Sequence, residues 1–103
     1  MATTLKIEHG IVDFETWKRA FERDPVGREQ AGVRRYRVCR PLDDPNYVMI
    51  DLDFDAREQA EAFLEKLRGV WSRADQSPGL LRTGTGSPKT RIVDEVEAKS
   101  YSG

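Results

Sequence analysis

The chain has 103 residues, 17 basic against 18 acidic, so it is expected to form one domain, residues 1–103, with a thin core that buries roughly two thirds of the unfolded surface. A net charge of -1 excludes a global field that would draw it to nucleic acid or anionic lipid, and the single cysteine, Cys39, excludes an intrachain disulfide. No apolar run approaches the ~20 residues that span a bilayer, and "MATTLKIEHG" lacks the basic and apolar regions of a signal peptide, so a cytoplasmic protein without membrane or nucleic-acid partners is expected.

From Thr4 to His9 the sequence alternates, with Leu5, Ile7 and His9 on one side and Lys6 and Glu8 on the other; Gly10 ends this first strand. From Asp13 the period changes. Phe14, Trp17, Ala20 and Phe21 share one helical stripe, opposite Glu15, Lys18, Arg19 and Glu22. Asp13 is the expected N-cap, Pro25 and Gly27 the stop, and "GREQAG" a further short turn. A second strand over Val33–Arg40 sets Tyr36 and Val38 on one face and Arg35, Arg37 and Cys39 on the other, up to Pro41 and the turn "PLDDPN".

The third strand is "YVMIDLDF", Tyr47 to Phe54. Its even-numbered residues are all apolar, while Tyr47, Met49, Asp51 and Asp53 mix amphipathic and acidic side chains. Asp55, with Glu58 three residues on, gives a capping-box pattern for a helix from Ala56 to about Trp71, whose apolar face is Ala60, Phe63, Leu64, Leu67 and Trp71. Residues 72–90 read as a long loop, Arg91–Glu97 as a last strand with Ile92 and Val96 on one side, and 98–103 as a flexible tail.

That order is βαββαβ, the ferredoxin-like α+β fold: a four-stranded antiparallel sheet with both helices on one face. Tyr36 and Val38 share a face with Val48 and Ile50 only if paired residue numbers sum to an even value near 86 or 88. Either register sets Arg35 and Arg37 beside Asp51 and Asp53 on the open face, with Lys6, Glu8, Cys39, Tyr47 and Met49. These charges are either solvated cross-strand pairs worth about 0.2–1 kcal/mol each, or they line a cavity between two sheets packed face to face about a two-fold axis. Tyr47, Met49, Cys39 and Val93 favour the second, because a fully solvated face has little use for them.

The candidate catalytic residues are His9, an imidazole able to carry a proton near neutral pH, and Asp51, which would orient the arginines. Candidate ligand-binding residues are Arg35 and Arg37 as a carboxylate clamp, Tyr47 beside them, and Trp17 and Trp71 as pocket walls. The plainer reading of His9 is a hydrogen-bonded residue at a strand end. Asp51, Asp53 and Asp55 suggest a hard-metal set, but capping explains Asp55 and the arginines neutralise the other two, so no metal is expected. Cys39 has flanking arginines but no imidazole to make it a nucleophile. "GTG" at 84–86 is too short for a phosphate loop, and no cofactor is expected. An RNA-recognition module would need stacking aromatics, and Tyr47 is the only aromatic expected on the open face.

The element order, the length near 100 residues, the Phe14/Trp17/Phe21 helix and Trp71 at the end of the second helix resemble the dimeric α+β barrel superfamily, which includes the antibiotic-biosynthesis monooxygenases. The resemblance covers nearly the whole chain and is one of pattern. It implies a homodimer formed through the sheets and a small aromatic or polyketide-like ligand held between the sheet and the helices of one subunit. It further implies a small-molecule-binding protein, as a cofactor-independent monooxygenase, isomerase or cyclase, or alternatively as a non-catalytic metabolite-binding or accessory dimer. Oxygenase and haem-degrading members use an Asn, Trp and His set. Trp71 matches the Trp, whereas the first strand has no Asn and no His follows Trp71.

Overall fold

The computed structural model describes residues 2–72 and 88–102. In chain order the elements are β1 (Thr3–Gly10), α1 (Phe14–Glu22), β2 (Arg35–Cys39), β3 (Tyr47–Phe54), α2 (Arg57–Ser72) and β4 (Lys89–Asp94). The strands form one antiparallel sheet in the order β2-β3-β1-β4. The ferredoxin-like arrangement expected from the element order is therefore the one observed.

Strand alternation decides which face is covered. Val48, Ile50, Leu52 and Phe54 of β3 and Leu5 and Ile7 of β1 are buried in one cluster with Ala60, Phe63 and Leu64 of α2 and Trp17 of α1. Removing each large side chain from water contributes about 1.5–3 kcal/mol before chain entropy is counted against it. Ile11 joins this core, fully buried just beyond β1, where its N–H donates to the Asn46 carbonyl at 2.9 Å. The odd-numbered face of β3 has no helix over it among the described residues.

The helix ends follow local chemistry. Asp13 caps α1, its carboxylate accepting from the Glu15 and Thr16 amides at 3.1 and 3.4 Å. The helix stops before Pro25. Asp24 turns the chain with φ 50, and its carboxylate takes the Arg28 amide at 2.9 Å. At Gly32, φ is 104, and a Cβ there would meet the Gln59 amide at 2.6 Å. Gln59 in turn accepts from the Ala56 amide at 3.1 Å, which is half of a capping box.

Several expectations need correcting. The capping interaction uses Ala56 and Gln59, one residue later than Asp55 and Glu58, because the Asp55 carboxylate is taken by Arg34, whose Nε lies 2.7 Å away. Strand β2 is confined to Arg35–Cys39, shorter at both ends than Val33–Arg40, while the turn expected at "GREQAG" is present over residues 28–32. β4 spans residues 89–94 and not 91–97, so Ile92 packs on the core while Val96 falls beyond the strand, 83% exposed. Of the loop expected over 72–90, residue 72 belongs to α2 and residues 89 and 90 to β4; residues 73–87 lie outside the described residues. Among the described residues no helix is long and apolar enough to cross a membrane.

Candidate functional site

The open face is organised by register. Of the two sums that alternation allowed, 88 is adopted: Arg37 stands opposite Asp51 and Arg35 opposite Asp53. On the other side of β3, β1 brings Lys6 to Asp51, Thr4 to Asp53 and Glu8 to Met49. Each aspartate is thus held from both neighbouring strands. Asp51 accepts from Arg37 Nη2 at 2.6 Å and from Lys6 Nζ at 3.1 Å; Asp53 accepts from Arg35 Nε at 2.7 Å and from the Thr4 hydroxyl at 2.7 Å. The Tyr47 hydroxyl donates to Glu8 at 2.7 Å.

Exposure divides these pairs unevenly. The aspartate side chains are 20% exposed, whereas those of Arg35 and Arg37 are 80% and 68% exposed. The acids form the floor and the arginines stand out from it. Partial burial alone would push Asp51 up. The Arg37 and Lys6 hydrogen bonds and charges outweigh it, so its carboxyl sits below the usual carboxylate range. Asp53 follows the same balance, with Thr4 and Arg35 supplying the stabilising bonds. Around this floor lies a basin of about 400 Å³, lined by Thr4, Lys6, Arg35, Arg37, Val93 and Glu95 together with both aspartates. Met49 (40% exposed) and Cys39 extend the same surface toward water.

The other candidates lie across the sheet. His9 is buried on the helix side, its Nδ1 3.1 Å from the Gly10 carbonyl and its ring edge-on to Trp17 with centroids 6.4 Å apart. Desolvation lowers its pKa below 6.5 against the raising effect of the Gly10 contact. Trp17 also stacks on Phe21 at 5.0 Å, and Trp71 packs partly buried against the core. The fold therefore unites Arg35, Arg37, Tyr47 and Asp51 on the open face and His9 with Trp17 behind it. It does not bring the imidazole of His9 to Asp51.

No protein-family model matches the chain, and no curated protein matches it. Among solved structures it is similar to a candidate antibiotic biosynthesis monooxygenase from Nitrosomonas europaea, at 14% identity over 96% of this chain and 94% of that one, with a TM-score of 0.59. A Nitrosomonas europaea protein of unknown function aligns at 15% identity over 99% and 96% of the two chains, TM-score 0.61. A candidate antibiotic biosynthesis monooxygenase from Deinococcus radiodurans aligns at 19% identity over the full length of both, TM-score 0.57. This chain shares their ferredoxin-like α+β fold. At such identities the likeness is one of fold.

Some participants were not singled out from the sequence. Thr4 and Glu95 reach the basin, beside the expected Lys6, through the pairing of β1 with β3 and β4, strands far apart in the chain, so no turn length announces their register. Arg28 lies 3.9 Å above the Phe21 ring and Arg40 4.5 Å from that of Phe14, so cations cap the aromatic row of α1.

Proposed function

We propose that the protein is a homodimer whose open sheet faces meet about a two-fold axis, and that the cavity between them binds a small anionic ligand of aromatic or polyketide-like type. The observation that carries this reading is the basin on the open face, with two exposed guanidiniums anchored at its rim by partly buried aspartates. Anchoring matters because arginine side chains fixed in advance lose less entropy on gripping a carboxylate. Lys6, Arg35 and Arg37 balance Asp51, Asp53 and Glu95 around the basin, three against three. Preference for an anion then comes from directed donors, not from net charge. Each guanidinium meets its aspartate through one nitrogen, leaving the rest of the planar fork for a ligand.

Screening by thermal shift against aromatic carboxylates and polyketide-like acids tests the proposal, followed by an assay for turnover. Arg37→Ala is expected to weaken a bound anion about ten- to hundredfold, the worth of one charge-assisted contact. Unchanged affinity would remove the clamp.

An enzymatic reading has one observation in its favour, and it seats the ligand between the sheet and the helices, on the side of His9, and not in the open-face basin. His9 is a buried imidazole whose pKa desolvation lowers, favouring the neutral ring, beside Trp17, as a proton acceptor in apolar surroundings would be. The names of two structural neighbours make monooxygenation the first reaction to assay. Loss of turnover in His9→Gln with ligand affinity intact supports that reading; turnover equal to wild type rejects a role for His9.

A further inference from the structure

We infer that Lys6 and Arg91 form a second anion subsite beside the arginine clamp, so that the ligand of the open face is a dicarboxylate with an acid group at each end. The inference rests on the ligand-binding reading of the open face proposed above and narrows its substrate class.

Strand register sorts the open face into rows that cross the sheet. Arg35, Asp53, Thr4 and Val93 make one row, with one cation and one acid. Cys39, Met49, Glu8 and Lys89 make another, again with one of each. Between them stand Arg37, Asp51, Lys6 and Arg91, three cations to a single carboxylate. Asp51 accepts from both Arg37 and Lys6. Arg91, two residues before the basin-lining Val93 and so on the same face, has no ion pair among the described residues. The residues that line the basin balance in charge; Arg91 stands beside them and tips its row positive.

This excess has a cost that the sequence keeps. Lys6 and Arg91 face each other on adjacent strands, and like charges directly opposite destabilise a sheet. A neutral residue at either position would remove the repulsion. Such a local conflict belongs where a ligand supplies the missing charge. The donors are available. Lys6 spends one N–H on Asp51 at 3.1 Å with its side chain half exposed, and the exposed Arg91 keeps its whole fork. Neither acid nearby on β1 or β4 takes them: Glu8 faces Lys89 and accepts from Tyr47, and Glu95 lies four residues beyond Arg91, beside Ala2.

Position then sets the shape of the ligand. The clamp is on β2 and Lys6 on β1, with β3 between, so the two anchors stand about 10 Å apart, two strand spacings. One carboxylate cannot reach both. Asp51 and Asp53 form the floor between them, which disfavours negative charge at the middle of the ligand and leaves its ends to the cations. A basin of about 400 Å³ has room for an aromatic diacid of that span.

Isothermal titration of the full-length protein with biphenyl para-carboxylate and with the para,para′-dicarboxylate separates one subsite from two. Wild type is expected to bind the dicarboxylate about tenfold more tightly, the worth of one further charge-assisted contact. Arg91→Gln is expected to abolish that preference, Arg91→Lys to keep most of it, and Arg37→Ala to weaken both acids. Without ligand, the urea midpoint of Arg91→Gln is expected at or above that of wild type, because a repulsion has been removed. Equal affinity of wild type for the two acids, with Arg37→Ala weakening each, overturns the second subsite and leaves the clamp standing. So does a preference that survives in Arg91→Gln, a ligand-free midpoint well below wild type, or inorganic phosphate binding as tightly as the dicarboxylate, which would put both charges at one place. If neither acid binds, or Arg37→Ala leaves affinity unchanged, the clamp fails and the second subsite with it.

Discussion

His9 places an ionisable ring where burial favours its neutral form. Leu5 and Ile7 precede it on the same buried side of β1, and Trp17 meets its edge. Because burial lowers its folded pKa below 6.5, folded and unfolded chains are both neutral at this position well above that value, and its contribution to stability is constant there. As the pH falls, the unfolded chain takes the proton first, and stability is lost until the folded pKa is passed. The urea midpoint of wild type is expected to fall from about pH 7 to about pH 5, and His9→Gln to flatten that slope. An equal slope in both proteins would show that His9 does not titrate with folding. Asp51 and Asp53 act in a lower window. Their folded pKa values are held below 3.8, so their contribution is complete well above that value and disappears only as the pH falls through the folded pKa. Alternation in the sequence already put His9 with Leu5 and Ile7 and the arginines with the acids. What it could not supply was the contact with Trp17, which depends on how α1 packs.

At the scale of elements, legibility followed how strongly each pattern constrained its alternatives. β3 was readable from Tyr47 to Phe54 because a one-residue slip would move four apolar side chains into water. β4 was misplaced by two to three residues, since Val96 offered a plausible apolar position that the ladder with β1 leaves unused. The start of α2 slipped by one residue because Asp55 is a good cap by composition and yet serves Arg34, a partner 21 positions away. The turn into β2 makes a sharper prediction. Gly32 combines φ 104 with a close approach to the Gln59 side chain that caps α2. Gly32→Ala is expected to destabilise the fold by about 1–2 kcal/mol, read from the urea midpoint, because an L side chain is strained at positive φ. Gln59→Ala in the same chain should recover only part of the loss, since it relieves the crowding and leaves the backbone strain. Full recovery would show that crowding alone was responsible.

For the whole molecule, the decisive feature is an asymmetry. One side of the sheet is packed under two helices, and the other presents Met49, Cys39, Tyr47 and Val93 around a floor of paired charges. The sequence made that asymmetry visible, because β3 alternates without a break, but one chain carries no record of what meets the second side. A face with its charges already neutralised in pairs loses less on meeting an identical face than one of a single sign would, since each aspartate keeps its arginine. Sedimentation equilibrium of the full chain at micromolar concentration tests this most directly. A mass of twice 11.8 kDa is predicted, and a mass of 11.8 kDa throughout that range would contradict it.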